Sequence, residues 1–289
     1  MSNYRPQMTN AGLDASVPVT TTDEFGQPRD GFIAAERPLT IYLNKKEIVT
    51  LMSMGTQPEF LVLGWLRNQR MISDIRHIKA VQVDWDTESV AVTTFEDVEG
   101  LEEKLSKKTV TTGCGQGTVF GNLMDDIENI KLPYIEINQS MIYGVLKALN
   151  EYNEIYKKAG AVHGCALCQN ENILQFVEDV GRHNAVDTIA GHMWINNQSG
   201  EDKIFYTTGR LTSEMIIKVA QIGVPILISR SGVTQMGLDI AQKVGVILIA
   251  RAKGRHFLVY NGTEKVILDA IPDSPRHINK SIRPIRNAG

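Results

Sequence analysis

Alternating apolar residues mark the first structured segment of this chain. Leu39, Ile41 and Leu43 alternate with other residues in ERPLTIYLNKKEIVTLMSM, a pattern that predicts a β-hairpin turning at residues 44–46. The preceding residues 1–30 are polar and show no periodicity. They are predicted to form a disordered tail.

The next elements predict a small α+β unit. Pro58 begins a helical pattern of apolar residues, although Gly64 within it disfavours a helix. Strands are predicted at 78–84 and 89–94, joined by an acidic turn. A charged connection, residues 96–108, leads from this unit into a glycine-rich segment.

The second half of the chain has the more regular pattern. Asn138 is placed to cap a long helix that Gly160 ends, and strands at 162–167 and 173–177 are predicted to pair as a hairpin. Strands and helices then alternate: strand 204–207, helix 212–222, strand 225–229, helix 234–244 and strand 246–250. A last hairpin is predicted with Asn261-Gly262 at its tip.

Short helices alternating with apolar strands predict a mainly parallel sheet with helices on both faces. The predicted fold class is therefore α/β, with a smaller N-terminal α+β unit. The predicted boundaries are 1–30 for the tail, 31–108 for the α+β domain, 109–135 for a mobile Cys-Gly loop and its connection, 136–271 for the α/β domain, and 272–289 for a loose C-terminal tail.

Composition narrows the classes of function. A net charge of −3 over 289 residues argues against a general nucleic-acid or anionic-membrane binder. Three cysteines make no disulfide framework, which fits a reducing compartment. No apolar run is long enough to span a bilayer, so a cytoplasmic protein is predicted.

The segment KTVTTGCGQGTVFGNL, residues 108–123, contains the first candidate for chemistry, Cys114. Its glycines disfavour helix and strand, and the small polar neighbours predict an exposed thiol. Lys107 and Lys108 would favour the thiolate, the form that attacks sulfur or carbon. Taken alone, the segment fits equally well a Gly-rich hairpin with an incidental cysteine.

Four loops at predicted strand ends each carry a glycine and at least one arginine. Ligands of open α/β sheets gather at the carboxyl ends of strands, so these loops are expected to lie together. Three of them lead into helix N-termini, which attract anions, and the first helix is predicted to be capped by Asn184. Arginine binds phosphate through two nitrogens, so a phosphate-bearing ligand is predicted. The residues are Gly181, Arg182, His183 and Asn184; Gly209, Arg210, Thr212 and Ser213; Ser229, Arg230, Ser231, Gly232 and Thr234; and Arg251, Lys253, Gly254, Arg255 and His256.

The sequence HGCALC offers a second cysteine group. His163, Cys165 and Cys168 are residue types that bind zinc. On a strand, however, His163 and Cys165 share one face while Cys168 points away or lies in the turn, and no fourth ligand is adjacent. Both cysteines are predicted to be core residues, with metal or redox chemistry as the alternative.

Two pairs of charged residues have ordinary interpretations. Glu178 and Asp179 follow a predicted strand and are interpreted as caps, with acid/base machinery as the alternative. Lys218 lies four residues after Glu214 on a predicted helix, which is typical of an exposed ion pair.

Several of these stretches together resemble a known family. EDVGRHNAVD, TTGRLTSEMIIKVAQIGVPILISRSGVT and TTGCGQG are similar to the formate dehydrogenase accessory sulfurtransferase (FdhD/NarQ) family, and ERPLTIYLN and GWLRNQRMI fit it too. The resemblance extends from Phe32 to Asp269. It implies a cytidine-deaminase-like α/β fold with a mixed sheet, and a homodimer.

The resemblance also implies a function. Sulfur would pass from a cysteine desulfurase to the molybdenum, or tungsten, bis-(molybdopterin guanine dinucleotide) cofactor, which formate dehydrogenase needs for activity. Cys114 matches the family cysteine that carries the persulfide, and no tightly bound metal is expected. The loop that resembles a cofactor-binding stretch consists of Arg251, Ala252, Lys253, Gly254, Arg255 and His256.

The chain departs from the family pattern in its cysteines. Many members have Cys-x-x-Cys where this chain has Gly117 at the second position, so a relay of two thiols is unavailable. A single persulfide on Cys114 remains chemically sufficient. A zinc deaminase is disfavoured, because Cys165 stands where that chemistry needs glutamate. The alternative to sulfur transfer is a chaperone that binds the guanine-dinucleotide cofactor without covalent chemistry.

Overall fold

The computed structural model describes residues 4–98, 100–101, 109–110, 117–118 and 127–272. Two sheets and six helices account for most of these residues. The strands of the N-terminal half are β1 (Gln7–Met8), β2 (Ser16–Thr22), β3 (Pro28–Ala34), β4 (Arg37–Leu43), β5 (Lys46–Ser53), β6 (Ile78–Asp84), β7 (Ser89–Thr94), β8 (Thr109–Val110) and β9 (Gly117–Thr118). Those of the C-terminal half are β10 (Ile137–Asn138), β11 (His163–Gln169), β12 (Asn172–Asp179), β13 (Ile204–Thr207), β14 (Ile226–Ser229), β15 (Ile247–Lys253), β16 (His256–Asn261) and β17 (Val266–Ile267). The helices are α1 (Pro58–Asn68), α2 (Gln139–Ala148), α3 (Glu154–Ala159), α4 (Arg182–Ile195), α5 (Ser213–Gln221) and α6 (Gln235–Val244).

The first sheet has the strand order β1-β6-β7-β4-β5, and α1 packs on it. Its strands bury alternate residues, as the sequence pattern predicts: Leu39, Ile41 and Leu43 are all fully buried. The predicted hairpin and the predicted helix from Pro58 are confirmed. Gly64 does not break this helix.

The prediction of a disordered tail is wrong for residues 4–30. Strand β1 adds to the first sheet alongside β6, and β2 and β3 form a hairpin of their own. Polar contacts, not apolar periodicity, attach the β1 segment: the Glu59 carboxylate accepts hydrogen bonds from Thr9 Oγ1 and from the Ala11 N–H, each at 2.7 Å. Trp85 Nε1 donates to the Ala11 carbonyl at 2.6 Å.

The second sheet has the order β12-β11-β13-β14-β15-β16 and is mixed. Only the β13–β14 and β14–β15 pairs are parallel, so the prediction of a mainly parallel sheet is wrong. The outer pairs β11–β12 and β15–β16 are hairpins, and a short turn forces antiparallel pairing. The mixed sheet that the family resemblance implies is confirmed.

Helices cover both faces of this sheet. Along β13, Phe205 points into the core shared with α4, α5 and α6, while Tyr206 points into the opposite core, shared with α2. Because side chains alternate along a strand, each central strand contributes to both cores. This arrangement explains the continuous burial of β13 and β14.

Two predicted elements differ in detail. The helix predicted from Asn138 to Gly160 is interrupted between α2 and α3, where Asn153 adopts a left-handed φ of 69°. The last hairpin turns at Gly254 and not at Gly262, which instead follows β16. Both glycines have a positive φ, 59° at Gly254 and 78° at Gly262, and either is suited to a turn. The sequence alone therefore does not show at which glycine the hairpin turns.

Helices α1 and α4 cross in unusually close contact, and this crossing joins the two halves of the chain. A Cβ atom at Gly64 would lie 1.7 Å from the Asp187 carbonyl oxygen, and one at Gly191 would lie 2.0 Å from the Phe60 carbonyl oxygen. Only glycine allows the two backbones to approach in this way. Gly64 is therefore required by packing despite its low helix propensity.

No helix within the described residues is long and apolar enough to cross a membrane. The predicted tail boundary at 272 falls at the end of the described part of the chain, and residues 273–289 lie outside it.

Candidate functional site

The predicted Gly/Arg loops meet at one edge of the second sheet. Strands β13 and β14 are parallel, with Thr207 beside Ser229, so the loops after them emerge together. Strand β12 runs in the same direction, because it and β13 are both antiparallel to β11. The prediction that these three strand ends share an edge is confirmed.

Hydrogen bonds connect these loops to each other. The Ser229 hydroxyl donates to the Gly209 carbonyl at 2.7 Å and accepts from the Ser231 N–H at 2.9 Å. The Arg230 N–H donates to the Thr207 carbonyl at 3.0 Å, and the Arg251 N–H donates to the Ser231 carbonyl at 2.8 Å. These hydrogen bonds fix the backbone of the edge.

Three helix N-termini point at this edge. Helix α4 begins at Arg182, α5 at Ser213 and α6 at Gln235, where the Thr234 hydroxyl accepts a hydrogen bond from the Gly237 N–H. Asn184 does not cap α4, contrary to the prediction. It lies inside the first turn, and its Nδ2 donates to Asp179 and to the Met52 carbonyl.

Asp179 holds the start of α4 against the first sheet. Its buried carboxylate accepts hydrogen bonds from the Ser53 hydroxyl, the Met54 and Gly181 N–H groups and Asn184 Nδ2, at 2.8 to 3.1 Å. Burial raises the pKa of this carboxyl, while the four donors lower it. Its neighbour Glu178 accepts from two N–H groups at the start of α3. Glu178 therefore caps α3, which agrees with the prediction, whereas Asp179 accepts no hydrogen bond from an N–H within α4 and instead joins the segment before it to β5.

Positive charge dominates the edge. Arg182 is buried, whereas Arg210 and Arg230 are exposed. Burial lowers the pKa of the nearby His163, and the charges of Arg182 and Arg210 lower it further. The imidazole is therefore held neutral beside two guanidinium groups, in an environment that favours a bound anion.

Gly209 allows Arg182 to occupy this position. A Cβ atom at Gly209 would lie 2.7 Å from Arg182 Cδ and 3.0 Å from its Cβ. The glycine of this loop thus makes room for the arginine of the neighbouring loop, which the sequence pattern does not reveal.

A buried network of charged groups lies behind the edge. Lys218 Nζ is 2.7 Å from Asp187 Oδ2 and 3.6 Å from Glu214 Oε1. His183 Nε2 is 3.4 Å from Glu214 Oε2, and burial, followed by the charge of Lys218, lowers the pKa of His183 well below its ordinary value. The prediction of an exposed Glu214–Lys218 pair is wrong, because Lys218 is only 1% exposed.

The segment from Arg251 to His256, predicted to be a loop after a strand, is instead the end of β15, a turn and the start of β16, and it reaches the edge only in part. The Arg251 backbone joins it, but Ala252 is buried in the core shared with α2. The Arg255 guanidinium lies over the Tyr143 ring of α2, 5.1 Å from its centre. The hairpin that carries Lys253, Gly254 and His256 is thus anchored partly to α2.

Cys165 and Cys168 point to opposite faces of the second sheet. Cys165 lies in the core shared with α4, α5 and α6, and Cys168 in the core shared with α2. They therefore do not share a metal ion with His163. Burial raises the pKa of each thiol to about 12, so both stay neutral.

Cys114 lies outside the described residues. The segments nearest to it in the sequence that the structure describes are β8 and β9, which pair antiparallel, with Thr109 opposite Thr118.

This fold has a counterpart among solved structures. A crystal structure of a formate dehydrogenase accessory protein from Desulfotalea psychrophila is similar to the chain with a TM-score of 0.69 and 26% identity, covering 87% of this chain and 98% of that one. The fold is therefore that of an α/β accessory protein of this class.

The sequence comparisons define the family. Residues 34–267 match the model of the FdhD/NarQ family, and the chain belongs to that family. A protein of Bacillus subtilis named sulfur carrier protein FdhD is 32% identical over 237 residues, which cover 81% of this chain and 90% of that protein. A protein of the same name from Wolinella succinogenes is 29% identical over 248 residues, 85% of this chain and 86% of that protein.

Proposed function

We propose that this protein is a sulfurtransferase. It accepts sulfur from a cysteine desulfurase as a persulfide on Cys114 and passes it to the molybdenum or tungsten bis-guanine-dinucleotide cofactor required by formate dehydrogenase. Its family membership and the sulfur carrier names of its relatives support the carrier role.

The burial of the other two cysteines is the observation that carries the assignment to Cys114. The chain has three cysteines. Cys165 and Cys168 are fully buried thiols with a pKa of about 12, and a neutral buried thiol is a poor nucleophile. Cys114 remains as the candidate sulfur carrier.

The first step is a thiol exchange. The Cys114 thiolate attacks the terminal sulfur of a persulfide on the desulfurase. A new S–S bond forms at Cys114, the S–S bond on the desulfurase breaks, and the desulfurase thiolate leaves. Only one thiol of this chain is used, so Gly117 at the second position of the loop is no obstacle.

The Gly/Arg edge is proposed to bind the phosphate groups of the cofactor, which is the cargo of the reaction. Three helix N-termini and the side chains of Arg182, Arg210 and Arg230 supply N–H donors and positive charge. Guanosine diphosphate carries the same nucleotide end. Arg230→Gln is expected to weaken guanosine diphosphate binding about tenfold, the effect of losing one charged contact. Lys147→Ala, which removes an exposed charge from α2, is the matched control.

Maturation of formate dehydrogenase tests the role of the cysteine. Cys114→Ala is expected to abolish formate dehydrogenase activity in cells, whereas Cys168→Ala is expected to retain it. Full activity with Cys114→Ala would contradict covalent transfer and leave the cofactor-binding chaperone as the function. Unchanged guanosine diphosphate binding by Cys114→Ala would show that the variant is folded.

Assembly as a homodimer is also proposed, on the family resemblance. Light scattering on the purified protein is expected to give twice the chain mass of 32.1 kDa. A mass equal to that of one chain would contradict it.

A further inference from the structure

Two polar side-chain atoms at the Gly/Arg edge are buried and have no hydrogen-bond partner among the residues that the structure describes. They are His183 Nδ1, in the first turn of α4, and Thr212 Oγ1, in the residue directly before α5. A buried polar atom without a partner costs stability, because water satisfies it in the unfolded chain. Two such atoms at neighbouring helix starts indicate a site at which a ligand supplies the partner.

The His183 ring lies close to the exposed part of the edge, although the residue is only 5% exposed. Burial, followed by the charges of Lys218 and Arg182, lowers the pKa of His183 well below its ordinary value, and the exposed Arg210 contributes to the same effect. The imidazole is therefore neutral. One of its nitrogens carries a hydrogen, and the other presents a lone pair.

Glu214 decides which nitrogen of the ring carries the hydrogen. Its Oε2 is 3.4 Å from His183 Nε2, while its Oε1 is 3.6 Å from Lys218 Nζ. An ionised carboxylate only accepts hydrogen bonds, so the ring hydrogen lies on Nε2 and Nδ1 is the acceptor. An N–H or O–H group satisfies this acceptor. The ionised oxygens of a phosphate group do not, because they are acceptors themselves.

Thr212 lies two residues before Glu214 and does not cap the helix that it precedes. At the equivalent position before α6, the Thr234 hydroxyl accepts a hydrogen bond from the Gly237 N–H at 3.2 Å, which is the usual role of threonine there. Thr212 has nearly the same backbone conformation, with φ −91° and ψ 166°, yet its hydroxyl makes no capping bond. This hydroxyl is left to interact with another group.

We propose that His183 and Thr212 bind a ribose hydroxyl of a nucleotide whose phosphate groups lie on the arginines of the edge. The proposal rests on the proposed cofactor-binding role of that edge. A hydroxyl both donates and accepts, so it satisfies His183 Nδ1 as a donor and Thr212 Oγ1 as an acceptor. His183 directly follows Arg182 in the chain, which places this acceptor beside a proposed phosphate-binding residue, as a ribose lies beside the phosphates of a nucleotide.

Calorimetry with guanosine diphosphate and 2′,3′-dideoxyguanosine diphosphate, which lacks both ribose hydroxyls, tests the proposal. The unmodified protein is expected to bind guanosine diphosphate about tenfold more tightly, the effect of one hydrogen bond. Thr212→Val and His183→Phe are each expected to bind the two nucleotides nearly alike. Thr212→Val is also expected to leave the melting temperature within about 2 °C or to raise it, since the lost hydroxyl has no partner in the described part of the chain.

Thr188→Val is the matched control. The Thr188 hydroxyl, on α4, is also buried but already donates to the Asn184 carbonyl at 2.9 Å, so this variant is expected to keep the full preference for guanosine diphosphate. Equal affinity of the unmodified protein for the two nucleotides would overturn the proposal and leave nucleotide binding at the edge intact. A preference that persists in both Thr212→Val and His183→Phe would also overturn it. Absence of guanosine diphosphate binding would contradict the proposed function of the edge as well.

Discussion

Gly64 lies at the closest approach of α1 and α4, and its replacement by alanine is predicted to destabilise the protein strongly. The new Cβ atom would lie 1.7 Å from the Asp187 carbonyl oxygen and 2.7 Å from the Gly191 nitrogen. Ordinary contacts of a Cβ atom begin at 3.4 Å, so the helices would have to separate by about 1.7 Å. Both obstacles are backbone atoms, which no rotamer change can move. Overpacking of this kind costs about 3 kcal/mol, more than the roughly 1 kcal/mol that alanine gains in helix propensity.

Gly144 provides a matched control in another helix. A Cβ atom there would lie 2.2 Å from Glu171 Cδ, but this atom belongs to an exposed, flexible side chain that can rotate away. Gly144→Ala is therefore expected to leave stability unchanged or to raise it by up to about 1 kcal/mol. Equilibrium unfolding in urea measures both variants, and a difference of about 3 kcal/mol between them is expected. Equal stabilities for the two variants would refute the close crossing.

Three further predictions follow from buried charges and from the edge. Lys218→Met leaves the buried Asp187 carboxylate without its cation and should lower the free energy of unfolding by about 3–5 kcal/mol. Adding Asp187→Leu should restore most of this loss, as measured by urea unfolding, and no restoration would argue against a buried ion pair. Burial lowers the pKa of His192 to about 4, so stability present above the ordinary histidine pKa should be lost as pH falls from about 6.5 towards 4. His192→Gln should flatten that dependence in urea unfolding, and an unchanged slope would contradict the assignment. Gly209→Ala displaces Arg182 and should weaken guanosine diphosphate binding about tenfold with little change in melting temperature. Unaltered affinity would show that Arg182 does not contribute to the proposed cofactor-binding edge.

The sequence predicts several strands well because burial leaves a plain apolar signal, which is continuous in the strand at 204–207 and alternates with exposed residues in the strands at 78–84 and 89–94. The strand at 204–207 and those at 78–84 and 89–94 begin and end where predicted. The strand β1 and the hairpin formed by β2 and β3 gave no such signal, since β1 is attached through hydrogen bonds to Glu59 and most side chains of the hairpin are exposed. Strand positions alone do not determine strand direction, so the sequence did not reveal that the second sheet is mixed.

The candidate site was predictable in part for a similar reason. The shared edge of the Gly/Arg loops follows from strand–helix alternation, which places successive loops side by side. Lys218 is buried instead against Asp187 of α4, which lies 31 residues away in the sequence, so the helical spacing to Glu214 alone does not predict its burial. The position of Ala252 in the core likewise depends on which face of β15 meets α2.

The most direct test of sulfur transfer is the intact mass of the protein after incubation with a cysteine desulfurase and L-cysteine. Sulfur transfer through Cys114 predicts a gain of one sulfur atom per chain that is lost on reduction, is present in Cys168→Ala and is absent from Cys114→Ser. No gain in mass, or a gain that persists in Cys114→Ser, would contradict a persulfide on Cys114.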